Sequence, residues 1–227
     1  MEREERFSRV IYESGLPVPA VEDIIEVDGR KGIIFERVEG NLMLEEIGAK
    51  PSEATHYDEI LTELHTSIHS HEMPDLPSLR DMIERNIHQA KTLSDEERTR
   101  ALHVLNQRKD GTSLCHYDLH PMNVIISPQK PIIIDWMSAC QGNPHADIAR
   151  TLLMSQGFLF AIPPDLHAAL QSFIDRYLAR YREIRDISLT ELKAWRLPIA
   201  IARLNDNIPH EKEWLRSLVK EELDNNS

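Results

Sequence analysis

The apolar positions of this chain change their period twice along its length. Near the start, Phe7, Val10 and Ile11 fall on one side of a predicted helix with charges elsewhere, and Gly15 with the Pro17/Pro19 pair stops it. Two strand-like runs follow, Val21–Val27 and Gly32–Val38. Between them Asp28-Gly29 is a strong two-residue hairpin signal, because both residues tolerate positive φ; Lys31 falls in the predicted turn, and Gly40 breaks the unit. From about Tyr57 the period becomes helical, with Ile60, Leu61, Leu64 and Ile68 in one segment and Met82, Ile83 and Ile87 in the next. A compact strand region, Leu114–His116, Val124–Ile126 and Ile132–Ile134, interrupts the helices. They resume as Ala146–Met154, Leu166–Arg182, Leu189–Leu204 and Glu211–Leu223. The expectation is a small strand-bearing part, residues 1–40, ahead of a larger helical part, residues 41–227.

Composition narrows the class. With 227 residues, 41% of them hydrophobic, the chain can bury one good core or two small lobes. It carries 38 acidic against 26 basic residues, a formal charge of -12, and no Lys/Arg run forms the basic face that nucleic-acid binding requires. No stretch approaches the roughly 20 apolar residues of a membrane helix, and MEREERFSRV lacks a signal-peptide core. Cys115 and Cys140 imply no disulfide framework. The expectation is a cytoplasmic protein with no nucleic-acid or membrane partner.

The candidate chemistry lies between residues 115 and 135. Asp118 and Asn123 share a polar loop, and Asp135 ends the next apolar strand. Taken singly, each of the three is more readily a turn former or helix cap. Together, two carboxylates and a carboxamide at strand ends suit a hard, oxygen-seeking cation such as Mg²⁺, and phosphoryl transfer needs that set.

The order His116-x-Asp118-x-x-x-x-Asn123, a short hairpin, then Ile132-Ile133-Ile134-Asp135 resembles the catalytic loop and metal-binding Asp of the kinase-like superfamily. His-x-Asp-Leu-His-Pro-x-Asn, with Asp135-Trp136 and Gly142-Asn143-Pro144-His145-Ala146-Asp147-Ile148-Ala149, is similar to the aminoglycoside phosphotransferase and choline kinase-like family. Ile34-Phe35-Glu36-Arg37-Val38-Glu39-Gly40 resembles that family's hinge strand, and Glu4 aligns with the Glu of its N-lobe helix. The resemblance implies an α+β, protein-kinase-like two-lobe fold with a truncated N-lobe, a short antiparallel sheet plus helix, and a mainly helical C-lobe. It implies Asp118 as catalytic base, Asn123 and Asp135 as Mg²⁺ ligands, and nucleotide contacts at Glu36, Val38 and Glu4. His116 would brace the loop and Asp147 would hydrogen-bond its backbone. The activity implied is transfer of the γ-phosphoryl group of ATP or GTP to a hydroxyl of a small molecule, an aminoglycoside, amino alcohol, sugar or vitamin precursor.

The chain departs from the family pattern at its start. Three strands bearing a phosphate-covering loop and a Lys should precede the Glu-bearing helix, yet only Met1-Glu2-Arg3 precede Glu4. About 25–40 residues are missing at ordinary strand lengths. A truncated product, a naturally short inactive relative and a slow enzyme all fit that departure. The expectation is an impaired kinase whose stripped N-lobe sheet self-associates through its edge; the alternative is a non-catalytic, pseudokinase-like binding or regulatory module. His65 and His69, one helical turn apart, have metal-ligand spacing, but no third ligand is evident. Trp195, Arg196, Arg203 and Asp206 sit on the helix where the resemblance places acceptor contacts, though Arg203 and Asp206 also fit a simple exposed ion pair.

Overall fold

The computed structural model describes residues 2–50 and 54–225, with side chains from Glu5 onward. Helix α1 (Glu2–Glu13) buries Phe7 and Ile11, but Val10 turns out toward solvent, because the apolar face is narrower than three positions. Strands β1 (Val21–Val27) and β2 (Arg30–Phe35) form an antiparallel hairpin. Asp28 and Gly29 have φ of 52° and 73°, the geometry their sequence predicts for a two-residue turn. Lys31 therefore stands in β2 opposite Glu26 and not in the turn, and β2 ends at Phe35 rather than Val38.

The chain then crosses to the larger part at Gly40. Its φ is 151°, and a Cβ there would lie 2.4 Å from the Ile126 carbonyl oxygen, so only glycine allows this approach. Strand β3 (Asn41–Leu42) leads into α2 (Met43–Ala49), α3 (Ala54–His69), α4 (Leu79–Gln89) and α5 (Asp95–Asn106). Strand β4 (Ser113–Cys115) precedes the loop carrying Asp118, then come β5 (Val124–Ile126), β6 (Pro131–Ile133) and β7 (Cys140–Gly142). The sheet order is β3-β5-β6, with β4 pairing β7 separately and β1-β2 standing alone. Helices α6 (Pro144–Phe158), α7 (His167–Ile184), α8 (Leu189–Leu204) and α9 (Lys212–Asn225) complete the chain.

Two apolar clusters hold these elements. One joins α1, α3 and α7 to β5 and β6 through residues such as Ile11, Leu61, Ile68, Val124, Ile133 and Tyr177. The other packs α4, α5, α6, α8 and α9 around Ile83, Leu105, Ile148 and Ile199. Strand β4 contributes to both, Leu114 to the first and Cys115 to the second, so the loop that follows it starts where the clusters meet. Among the described residues no helix is long and apolar enough to cross a membrane.

Candidate active site

The loop after β4 is built around a strained peptide. Tyr117 has φ of 63°, costly for a bulky side chain. Asp147, in the first turn of α6, accepts from the backbone N–H groups of His116 (Oδ2, 2.9 Å) and Tyr117 (Oδ1, 2.9 Å). On the other side of Tyr117, its carbonyl oxygen accepts from Arg150 Nε at 2.7 Å, and the guanidinium lies 4.5 Å from the Tyr117 ring centre. Asp118 is thus presented by a residue held at both ends.

His116 ties the two halves of the site together. Its Nδ1 accepts from the Asp118 N–H (3.2 Å), so Nε2 carries the proton and donates to the Ile134 carbonyl (3.1 Å). Desolvation lowers the pKa of this fully buried imidazole, which favours the neutral tautomer that this bonding requires. Asn123 Nδ2 donates to the Asp118 carbonyl (2.8 Å) and lies 3.3 Å from its Oδ2, and the Ile134 N–H donates to the Asn123 carbonyl at 3.0 Å. Asp135, the next residue, takes left-handed φ and ψ of 61° and 65° and is exposed. Hydrogen bonds therefore tie the loop that carries Asp118 and Asn123 to Ile134, the residue before Asp135, and this segment presents three polar side chains, Asp118, Asn123 and Asp135. Their free donors are carboxylate and carboxamide oxygens, a set that fits Mg²⁺ and not a soft metal.

Beside Asp135 opens a largely apolar cleft of about 370 Å³, lined by Val18, Phe35, Glu36, Val38, Ile134 and Trp136 among others. The Glu36 carboxylate accepts from the Ala20 N–H (3.2 Å), and its own N–H donates to the Ala20 carbonyl (2.8 Å). Glu4 lies in α1, but its side chain falls outside the described residues. The lining contains no lysine or arginine among the described residues.

Beneath the loop, the third partner that sequence could not supply to His65 and His69 is Asp147, whose Oδ2 lies 3.2 and 3.0 Å from their Nε2 atoms. The Tyr177 and Tyr181 hydroxyls meet the two Nδ1 atoms at 2.6 Å each. Each nitrogen and oxygen of this buried group has a hydrogen-bond partner, so it is a closed brace under the loop.

Sequence reasoning missed Arg150 and Glu211. Arg150 lies three residues after Asp147, on the same face of α6, and that spacing was the available signal. Its Nη2 sits 2.8 Å from Asp206 Oδ2 and 3.9 Å from Asp118 Oδ1. Arg203 reaches Asp206 (3.2 Å) and binds buried Glu211 through two bonds of 2.8 and 2.7 Å. Arg203 and Asp206 are thus part of a network ending at Asp118, not an isolated surface pair. Trp195 and Arg196 do not join it: Trp195 is packed in the core, and Arg196 pairs with Glu222 of α9.

A sequence model described as the phosphotransferase enzyme family matches residues 1–195. The chain belongs to this family. No curated protein sequence matches it. Among solved structures, aminoglycoside phosphotransferase APH(4)-Ia superposes with a TM-score of 0.69 at 18% identity, over 99% of this chain and 83% of that one. Choline kinase LicA from Streptococcus pneumoniae gives 0.60 at 17% identity, over 99% and 79%. Aminoglycoside phosphotransferase APH(3'')-Id from Streptomyces rimosus, solved in complex with ADP and streptomycin, gives 0.62 at 18%, over 88% and 81%. This phosphotransferase therefore has the family's α+β, kinase-like fold, with a mainly helical C-terminal part.

Proposed function

We propose that the chain transfers the γ-phosphoryl group of ATP or GTP to a hydroxyl of a small molecule, with Mg²⁺ as cofactor. The observation that carries the reading is the hydrogen bonding that ties Asp118 and Asn123 to Ile134, the residue before Asp135, together with the apolar cleft that Ile134 and Asp135 line. Asp118 accepts the proton of the attacking hydroxyl. Asn123 and Asp135 would hold Mg²⁺, which when bound neutralises charge on the nucleotide phosphates. The cleft takes the purine between Val18 and Ile134. Glu36 N–H is engaged by Ala20, so base pairing falls to the Glu36 carbonyl and Val38 N–H. A cytoplasmic setting, where nucleotide is abundant, belongs to the same reading.

A second reading is favoured by the absence of a cation in the described cleft lining: a nucleotide-binding module that transfers slowly or not at all. Calorimetry with ATP and GTP, with and without Mg²⁺, on this chain and on Asp135→Asn separates the possibilities. The expected result is Mg-dependent binding that weakens about 10–100-fold in the variant. Turnover with an accepted alcohol should lie below the ordinary kinase range of about 1–100 s⁻¹. Binding without transfer favours the second reading, and no binding by the folded chain overturns both.

A further inference from the structure

A row of hydrogen-bonded charges runs from the start of α9 to the loop that carries Asp118. Glu211 stands just ahead of α9, buried, and its carbonyl accepts from the Leu215 N–H at 2.8 Å. A Cβ on Gly157 of α6 would lie 2.6 Å from Glu211 Cδ, so the carboxylate rests against α6 where only glycine leaves it room. Arg203 Nε and Nη2 donate to its two oxygens at 2.8 and 2.7 Å. The third nitrogen of Arg203, Nη1, reaches Asp206 Oδ2 at 3.2 Å, and Arg150 Nη2 holds that same oxygen at 2.8 Å. Arg150 Nε in turn donates to the Tyr117 carbonyl at 2.7 Å.

Two guanidinium groups therefore share one carboxylate oxygen, and Glu211 decides how. With two of its nitrogens on Glu211, Arg203 approaches Asp206 through a single longer bond, and Arg150 keeps the shorter one. Arg203 pairs with no carboxylate other than Asp206 and Glu211 among the described residues. Its side chain is only 14% exposed, and a charge left unpaired in such a place is strongly unfavourable. Deprived of Glu211, Arg203 turns onto Asp206, and Arg150 loses the partner that fixes it. A buried ion pair is itself weak support for stability, because desolvation offsets the attraction. What this pair does set is the division of Asp206 between two arginines.

We propose that Glu211 is a positioning residue for phosphoryl transfer: by engaging Arg203 it leaves Asp206 to Arg150, and Arg150 holds the strained Tyr117 peptide that presents Asp118. The inference rests on the phosphotransferase reading of the same site. Glu211 touches neither nucleotide nor acceptor in this scheme. It acts through Arg203, Asp206 and Arg150 in that order, and each step is a hydrogen bond of 3.2 Å or less.

The experiment measures transfer from γ-labelled ATP or GTP to the best acceptor in a panel of sugars, aminoglycosides and amino alcohols. Calorimetry of nucleotide binding and amide exchange in the segment 114–123 are followed on the same variants. Glu211→Gln should lower kcat about tenfold and quicken exchange in that segment, with nucleotide affinity unchanged. In an Arg150→Met background the same substitution should change kcat and exchange less than about twofold, because its route to the loop is already cut. Adding Arg203→Met to Glu211→Gln removes the competing guanidinium and should bring kcat back to within about threefold of the unsubstituted chain, a recovery that a merely structural role does not give. Gly157→Ala presses on the carboxylate while keeping its charge, and it supplies the same cycle should Glu211→Gln fail to fold. Unchanged kcat and exchange in folded Glu211→Gln, an additive loss with Arg150→Met, or no recovery with Arg203→Met overturns the proposal. No transfer by the unsubstituted chain overturns the phosphotransferase reading beneath it, and the exchange cycle then still decides whether Glu211 holds the loop.

Discussion

Tyr117 and Asp135 are the two residues of the site held in left-handed backbone geometry, and such strain of about 1–3 kcal/mol persists only where neighbours over-determine it. For Tyr117 the neighbours are Asp147 on its N–H and Arg150 on its carbonyl. Arg150→Met removes one clamp while keeping most of the volume, and it leaves Asp206 with Arg203. The substitution should leave nucleotide affinity within a few-fold but lower kcat about 10²-fold, as loss of an oriented group near the reacting atoms does. Amide exchange in the segment 114–123 should quicken, and Arg150→Lys should recover part of the rate. A folded Arg150→Met with wild-type kcat and exchange would remove Arg150 from the mechanism. The sequence singled out Asp118, Asn123 and Asp135 because their spacing is unusual as a set. Arg150 was hinted at only by its three-residue step from Asp147, because what it holds depends on the packing that brings α6 under the loop.

Legibility varied in the same way among elements. Helices α3, α6, α7 and α8 carry enough apolar positions to be seen from period alone. Helix α5 escaped, since two-thirds of its residues are charged or polar and only Ala101, Val104 and Leu105 are buried. Its Ser94–Glu97 capping box was the signal to use, with Glu97 N–H on Ser94 Oγ (3.2 Å) and Ser94 N–H on Glu97 (2.7 Å). Strands β4 to β6, at three residues each, were visible as short apolar runs between polar loops to within one residue, whereas β7 escaped because it contains only one apolar residue, Cys140. The hairpin β1–β2 was plain in the sequence and raises its own prediction. It pairs with no other strand among the described residues, and Ile24, Ile25, Val27, Ile34 and Phe35 are exposed. An open apolar edge of this kind pairs with a second copy, so light scattering should show dimers at concentrations on the order of 100 μM. Ile25→Lys should shift the population to monomer with little change in melting temperature. A monomer at that concentration for the unsubstituted chain would contradict the expectation.

At the scale of the molecule, one buried group joins most of the larger part. His65 and His69 come from α3, Tyr177 and Tyr181 from α7, Asp147 from α6, and the acceptor atoms of Asp147 reach the backbone of the loop that carries Asp118. Asp58, fully buried on α3 and paired with Arg176 and Arg180 of α7, reinforces the same junction. Such an assembly makes folding sensitive to acid. Desolvation, aided by the neighbouring His65, lowers the His69 pKa from 6.5 to about 4. Burial would raise the Asp147 carboxyl, but the donors from His65 and His69 hold it well below the usual carboxylate range. The sign follows from which state takes the proton. Above pH 6.5 neither folded nor unfolded His69 is protonated, and its contribution is intact. As pH falls from 6.5 to 4 the unfolded chain binds a proton that the folded chain refuses, and stability declines by about 3 kcal/mol from this residue alone. Below the ordinary carboxylate range Asp147 adds a further loss, because the unfolded chain protonates it first. Net charge works in the opposite direction, since the chain carries -12 at pH 7 and self-repulsion weakens on acidification. Comparing His69→Gln with the unsubstituted chain cancels that term. In urea melts at pH 7.5, 6, 5 and 4.5, the variant should start less stable, having lost an imidazole fitted between Asp147 and Tyr181, yet fall less steeply. Parallel pH slopes for the two proteins would mean that His69 does not stay neutral in the fold, and the acid sensitivity would have to arise elsewhere.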